Sequence, residues 1–219
     1  MQELSQYQYI FLDLDGTVID SALGVTNSVA YALSKLGYTV SDRSELMKFI
    51  GPPLSDSFSE FYGFDDERIK LGIGYYREYY TENGIFECSL YDHVEDLLKA
   101  VKRDNRTLAL ATSKPEVYAR RILERINIDK YFDLIAGSTL DGVRNNKSDV
   151  LRYALGKLNI EDASQAVLLG DRKHDVIGAH EFGMPCVYML HGYGNEEEAV
   201  KYNADMILDD MSAACSIIS

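Results

Sequence analysis

Five short apolar runs constrain this chain more than any other feature: YIFLDLD at 9–15, TLALATS at 107–113, DLIAGS at 133–138, AVLLGD at 166–171 and PCVYML at 185–190. Each has the length of a strand and ends in polar or small residues. Their near-continuous hydrophobicity suits strands buried on both faces rather than the alternation of a half-exposed sheet. Between the later runs lie helical patterns, EVYARRILERI at 116–126, SDVLRYALGKL at 148–158 and HDVIGAHEFG at 174–183, and Gly183 followed by Pro185 reads as a helix stop. Strand alternating with helix predicts a doubly wound parallel α/β sheet, helices on both faces.

One interval breaks this rhythm. From about Ser21 to Glu87 only helical spacing is found, with Val25, Val29, Leu33 and Leu36 on one stripe, Gly37 as a C-cap, and Ile69, Ile73, Tyr76 and Tyr80 on a second. That is too long for one crossover, so we expect a small all-helical cap domain over 21–86, inserted after the first strand of a core formed by 1–20 and 87–219. The tyrosine-rich YYREYY at 75–80 reads as cap core and rim.

The first run ends in two aspartates, Asp13 and Asp15. On an extended segment, carboxylates two residues apart point the same way, and at ~4 Å two such charges repel by roughly 4 kcal/mol at a surface-like dielectric. A cation, a proton or a chemical task must offset that, unless the pair are ordinary turn formers. In an open α/β sheet, ligands bind beyond the carboxyl ends of the strands. Asp13, Thr112 and Asp171 each sit just past a different apolar run and should meet there, and Lys147, at a predicted helix start, could supply a cation.

On these residues the chain resembles the haloacid dehalogenase-like hydrolases. Asp13-Leu14-Asp15-Gly16-Thr17 matches their DxDGT motif, Thr112 after LALA the second motif, Lys147 the third, and Gly170-Asp171 with Asp175 the GDxxxD fourth. The order is right, the match spans nearly the whole chain, and the subgroup it is most similar to is the phosphoglycolate-phosphatase-like one with a helical cap. The resemblance implies a Rossmann-like core and a phosphatase of small phosphomonoesters. It makes Asp13 the nucleophile that forms an aspartyl phosphate and Asp15 the acid and base. It implies Mg2+ held by Asp13, Asp171 and the backbone carbonyl of Asp15, a hard cation on oxygen ligands. Thr112, Ser113 and Lys147 would bind the phosphoryl group, Gly16 would leave room for backbone approach, and Asp175 would support the metal shell or Lys147.

Several positions stay open. Arg172 and His174 lie near the site, with a helix-start surface role as the plainer reading, and Arg172 departs from the small hydroxyl residue common there in the family. FIGPPL at 49–54, with Gly51, Pro52, Pro53 and Leu54, aligns with a cap loop that reaches the site in related phosphatases, or is a stiff connector. HGYG at 191–194 is either a loop near the entrance or a simple turn.

The phosphomutases of the same superfamily retain both aspartates and are the nearest rival, and a non-catalytic binding protein on the same fold is another class. Dehalogenases and phosphonate hydrolases lack the second aspartate, so Asp15 disfavours both. The net charge of -13 repels nucleic-acid backbones and anionic membranes, so any phosphate handled must be small or locally neutralised. That is in keeping with the small phosphorylated metabolite that the resemblance implies as partner. No apolar segment approaches membrane-spanning length and no secretory signal is readable. Cys88, Cys186 and Cys215 are widely spaced and odd in number, which suits a reducing cytoplasm, with Cys186 as a small core residue. Monomer is the default expectation.

Overall fold

The computed structural model describes residues 3–218. In chain order the elements are β1 (Tyr9–Leu12), β2 (Ile19–Asp20), α1 (Ala22–Lys35), α2 (Leu54–Tyr62), α3 (Asp66–Glu82), β3 (Ser89–Leu90), α4 (Val94–Arg103), β4 (Thr107–Pro115), α5 (Glu116–Arg125), β5 (Leu134–Ser138), α6 (Lys147–Leu158), β6 (Ala166–Gly170), α7 (Lys173–His180), β7 (Cys186–Met189), α8 (Glu196–Lys201), β8 (Met206–Leu208) and α9 (Met211–Ile218). They form two compact units, one of Met1–Ile19 with Leu90–Ser219 and one of Asp20–Ser89. The chain crosses between them at β2 and β3, which pair with each other.

The first unit is built on a six-stranded sheet in the order β5-β4-β1-β6-β7-β8, with parallel pairings throughout. All five apolar runs are strands of it. β8, the sixth, is an edge strand of three half-buried residues, too short an apolar run to stand out in NADMILDD. Alternation sorts the strand side chains between two helical layers. Phe11, Ala109, Ala111 and Leu168 share one cluster with Val150, Leu151 and Ala154 of α6 and Val176 and Ala179 of α7. Ile10, Leu12, Leu108 and Leu110, the alternate positions, are equally buried, as are Leu97, Leu98 and Val101 of α4, which packs on β4. Each such side chain contributes roughly 1.5–3 kcal/mol through removal from water.

Helix ends follow their caps. Asn146 accepts the Asp149 N–H at 2.9 Å, so α6 starts at Lys147. Gly183, at φ 68°, lets the chain leave α7 while the Met184 N–H reaches back to the Ala179 carbonyl at 3.1 Å. Cys186 is fully buried on β7, and all three cysteines are free.

The second unit packs α1 against α3 and α2 against α3. Phe49 and Phe58 sit edge to face at 5.3 Å, and Tyr76 stacks on Tyr80 at 5.2 Å. Tyr76 and Tyr80 are buried and Tyr75 and Tyr79 half-buried, so YYREYY is core and rim of this unit. Gly51, Pro52 and Pro53 form the turn that leads into α2 at Leu54. Among the described residues no helix is long and apolar enough to cross a membrane.

Candidate active site

β1 lies at the centre of the sheet, and the chain turns from it first to β4 and β5 on one side and later to β6, β7 and β8 on the other. Parallel neighbours on either side of such a switch point leave a crevice at their carboxyl ends. Asp13 follows β1, Asp171 follows β6, and Thr112 lies near the end of β4, where its register with β5 slips. All three are buried, although far apart in sequence.

Lys147, the first residue of α6, reaches into the same crevice and is 4% exposed. Its Nζ donates to Asp13 Oδ1 and to the Ala111 carbonyl, each at 2.7 Å, and lies 2.7 Å from Asp175 Oδ1. The other Asp175 oxygen accepts the Arg172 N–H at 3.0 Å. The Asp171 carboxylate accepts from the Thr17 hydroxyl at 3.2 Å and from the Tyr193 N–H at 2.7 Å. Asp13, Asp171 and Asp175 can each offer a carboxylate oxygen within 4.8 Å of the other two.

The electrostatics follow from counting charges. Lys147 pairs with Asp13 and Asp175, and Asp171 lies beside them without it, so with every carboxylate ionised the cluster would hold two negative charges in excess. Burial pushes the Asp13 carboxyl up to about 6; Lys147 pulls it down, while the charges of Asp175 and Asp15 push it higher. Burial, then repulsion from Asp175 and Asp13, holds Asp171 well above the ordinary carboxylate range. Burial opposes the charge on Lys147, yet Asp13 and Asp175 keep its ammonium above the usual lysine value. A divalent cation on the Asp13 and Asp171 oxygens fits this donor set, since hard cations take carboxylate oxygens and supply the missing charge.

The charge of Asp15 does act on Asp13, as the pairing of two aspartates leads one to expect, but β1 ends at Leu12 and each carboxylate takes a lysine of its own. Lys114 Nζ donates to both oxygens of Asp15 at 2.7 Å, with 7% and 14% of the two side chains exposed. The sequence reading missed Lys114. It stands two residues after Thr112, in TSKP, and that proximity to the second motif was the one available signal.

Among the remaining positions, Ser113 lies in β4 beside Thr112 and is half-buried. Gly16 turns the chain at φ 85°, and a Cβ there would lie 2.2 Å from Asp171 Oδ2, so only glycine allows this approach. Arg172 pairs with Glu198 at 3.2 Å, and His174 is a half-buried residue in the first turn of α7 whose pKa burial lowers. His191–Gly194 lies against the Asp171 backbone and side chain, closer to the chemistry than a simple turn would be.

The comparisons with known proteins agree with this geometry. A family model described as haloacid dehalogenase-like hydrolase matches residues 9–189. A 5'-nucleotidase of Pseudomonas aeruginosa is 37% identical over 97% of this chain and 96% of that protein. Tyrosine-protein kinase PtkA of Mycobacterium tuberculosis is 37% identical over 87% of this chain and 64% of that protein. A phosphoglycolate phosphatase of Colwellia psychrerythraea is 27% identical over 94% of this chain and 95% of that protein. The crystal structure of a predicted phosphatase from Clostridium acetobutylicum superposes with a TM-score of 0.93 at 44% identity, covering 97% of this chain and 98% of that one.

Carboxyls whose folded-state pKa is raised favour folding below their ordinary pKa. That contribution is lost as pH rises through the folded value, about 6 for Asp13. At pH 7.5 the metal-free protein therefore holds unfavourable buried charge, and Asp171→Asn should raise its melting temperature. A divalent cation that fits this donor set, tested with Mg2+ at a hundred times its Kd, should stabilise the wild type by about 2.7 kcal/mol, or roughly 5–10 °C for a chain of this size, and Asp171→Asn by far less. Differential scanning fluorimetry with EDTA or Mg2+ reads both effects. A metal-free Asp171→Asn that melts lower than wild type contradicts the charge count.

Proposed function

We propose that this chain, which belongs to the haloacid dehalogenase-like hydrolase family, is a Mg2+-dependent phosphatase of small phosphomonoesters that works through an aspartyl phosphate. The observation that carries the reading is the buried cluster of Asp13, Asp171 and Asp175, in which Lys147 pairs with Asp13 and Asp175. A bound Mg2+ would be held by Asp13, Asp171 and the Asp15 backbone carbonyl, and would screen phosphate charge as a Lewis acid.

Every other step belongs to the chain. An Asp13 oxygen attacks phosphorus and the bond to the leaving oxygen breaks, while Asp15 passes a proton to that oxygen. Water then attacks the phosphorus of the aspartyl phosphate, Asp15 takes back a proton, and the bond to Asp13 breaks to release inorganic phosphate. Lys147 stabilises charge on the transferring oxygens. The Thr112 hydroxyl accepts the Lys114 N–H at 3.2 Å, which leaves its own proton to give to a phosphoryl oxygen, and Ser113 adds its N–H. Lys114 orients the Asp15 carboxylate by gripping both oxygens.

Nucleoside 5'-monophosphates come first among substrates, from the relative named 5'-nucleotidase, and phosphoglycolate second. The excess of acidic residues favours a small metabolite over a polymer, and three free cysteines suit the cytoplasm. The relation to a tyrosine kinase supports a second reading, transfer of the phosphoryl group to a tyrosine hydroxyl. Label from γ-labelled ATP on a tyrosine-bearing protein would favour transfer, and label in free phosphate would favour hydrolysis.

Release of inorganic phosphate from a panel of phosphorylated metabolites, with Mg2+ and with EDTA, tests the activity. In Asp15→Asn, p-nitrophenyl phosphate should still phosphorylate Asp13, because its leaving group departs without a proton. Rapid mixing should show a burst near one equivalent of nitrophenolate and then slow turnover, whereas an alkyl monoester should give no burst. Wild-type turnover of both esters removes Asp15 from the acid and base role. Lys114→Ala should lower kcat for alkyl esters by about 10- to 100-fold with KM changed less than threefold, a loss no larger than the lower end of a general acid's full contribution. An unchanged kcat makes the Lys114–Asp15 pair structural only.

A further inference from the structure

We infer that the loop His191–Gly194 is a positioning element for the divalent-cation site, holding the Asp171 carboxylate in one orientation through Tyr193 and Thr17. The inference rests on the phosphatase reading above. An aspartate's terminal torsion is broad, so a ligand carboxylate needs outside bonds to present one oxygen consistently. Here each oxygen has one such bond, from the Tyr193 N–H at 2.7 Å and from the Thr17 hydroxyl at 3.2 Å. A carboxylate has about four acceptor positions, so two remain for a cation.

The loop controls both bonds. Tyr193 supplies one directly. The other donor, Thr17, is fully buried, and its carbonyl lies 3.1 Å from His191 Nε2. A carbonyl only accepts, which assigns the proton of His191 to Nε2. The Tyr91 ring meets the His191 ring edge to face at 4.5 Å and fixes its plane. His191 thus grips the backbone of the residue whose side chain grips Asp171.

The two glycines give the same result from packing. A Cβ on Gly192 would lie 2.3 Å from Asp171 Cβ and 2.4 Å from the Gly16 carbonyl oxygen. One on Gly194 would lie 1.8 Å from Tyr188 Oη and 2.2 Å from the Asp171 carbonyl oxygen. Backbone that close can neither drift nor accept a side chain without moving Asp171. With Nε2 engaged on the Thr17 carbonyl, His191 acts on Asp171 through its neighbours.

Calorimetric titration of the full chain with Mg2+ tests this, using wild type, His191→Phe, His191→Gln and Gly192→Ala. His191→Phe keeps the ring but loses the donor and should weaken Mg2+ binding about tenfold, the lower end for loss of an outer-shell partner. His191→Gln, whose amide can donate to the Thr17 carbonyl, should recover most of that loss. Gly192→Ala should weaken binding by about 10- to 100-fold. The Mg2+ concentration for half-maximal phosphate release should shift by the same factors, with KM for substrate at saturating Mg2+ changed less than twofold. If Gly192→Ala does not fold, the His191 pair decides the matter alone. Mg2+ affinity in His191→Phe within twofold of wild type overturns the inference. A wild type that binds no Mg2+ instead overturns the metal reading on which it rests.

Discussion

Three buried carboxylates around a single lysine are the constraint on which the rest of the site depends. Asp13, Asp171 and Asp175 are each taken out of water, and Lys147 answers only part of their charge. Burial of unpaired charge is among the costliest features a fold can carry, and it persists where binding or chemistry repays it. The raised pKa values of Asp13 and Asp171 are the same fact seen as protonation. The Lys114–Asp15 pair stands beside the cluster as a matched pair of charges. One half of the site is therefore left with negative charge that a cation would neutralise, and the other is balanced.

The parallel sheet makes this cluster possible. Strand order places β1 between β4 and β6, so the carboxyl ends of three strands distant in sequence lie side by side. The N-cap at Asn146 starts α6 where Lys147 can reach Asp13. The tight turn after β1, in which the Leu14 carbonyl accepts from Val18 and Ile19 at 2.9 Å, carries Thr17 to Asp171. Backbone geometry thus sets the ligand positions before any side chain is chosen.

Much of this was legible in the sequence because it depends on position relative to strand ends. The five apolar runs, the helical interval, and the convergence of Asp13, Thr112, Lys147 and Asp171 all follow from periodicity and from the rule for open sheets. What escaped depends on where the chain turns between elements. The two aspartates predict crowded like charges in need of an offset, but not that the turn after Leu12 gives each carboxylate its own lysine. Lys114 gains its role only from that turn. The sequence leaves HGYG open between an entrance loop and a simple turn, and only the structure shows its glycines packed against Asp171 and Gly16. β8 was missed because three half-buried residues make no pattern.

The central claim is that the cluster holds protons which a divalent cation displaces. Calorimetric titration with Mg2+ in buffers of different ionisation enthalpy counts them. With the Asp13 carboxyl near 6, binding at pH 6 should release about half a proton per cation from that group alone, more with Asp171, and the release should shrink as pH rises. Mg2+ binding at pH 6 with no proton release, or no binding at any pH, would contradict the account.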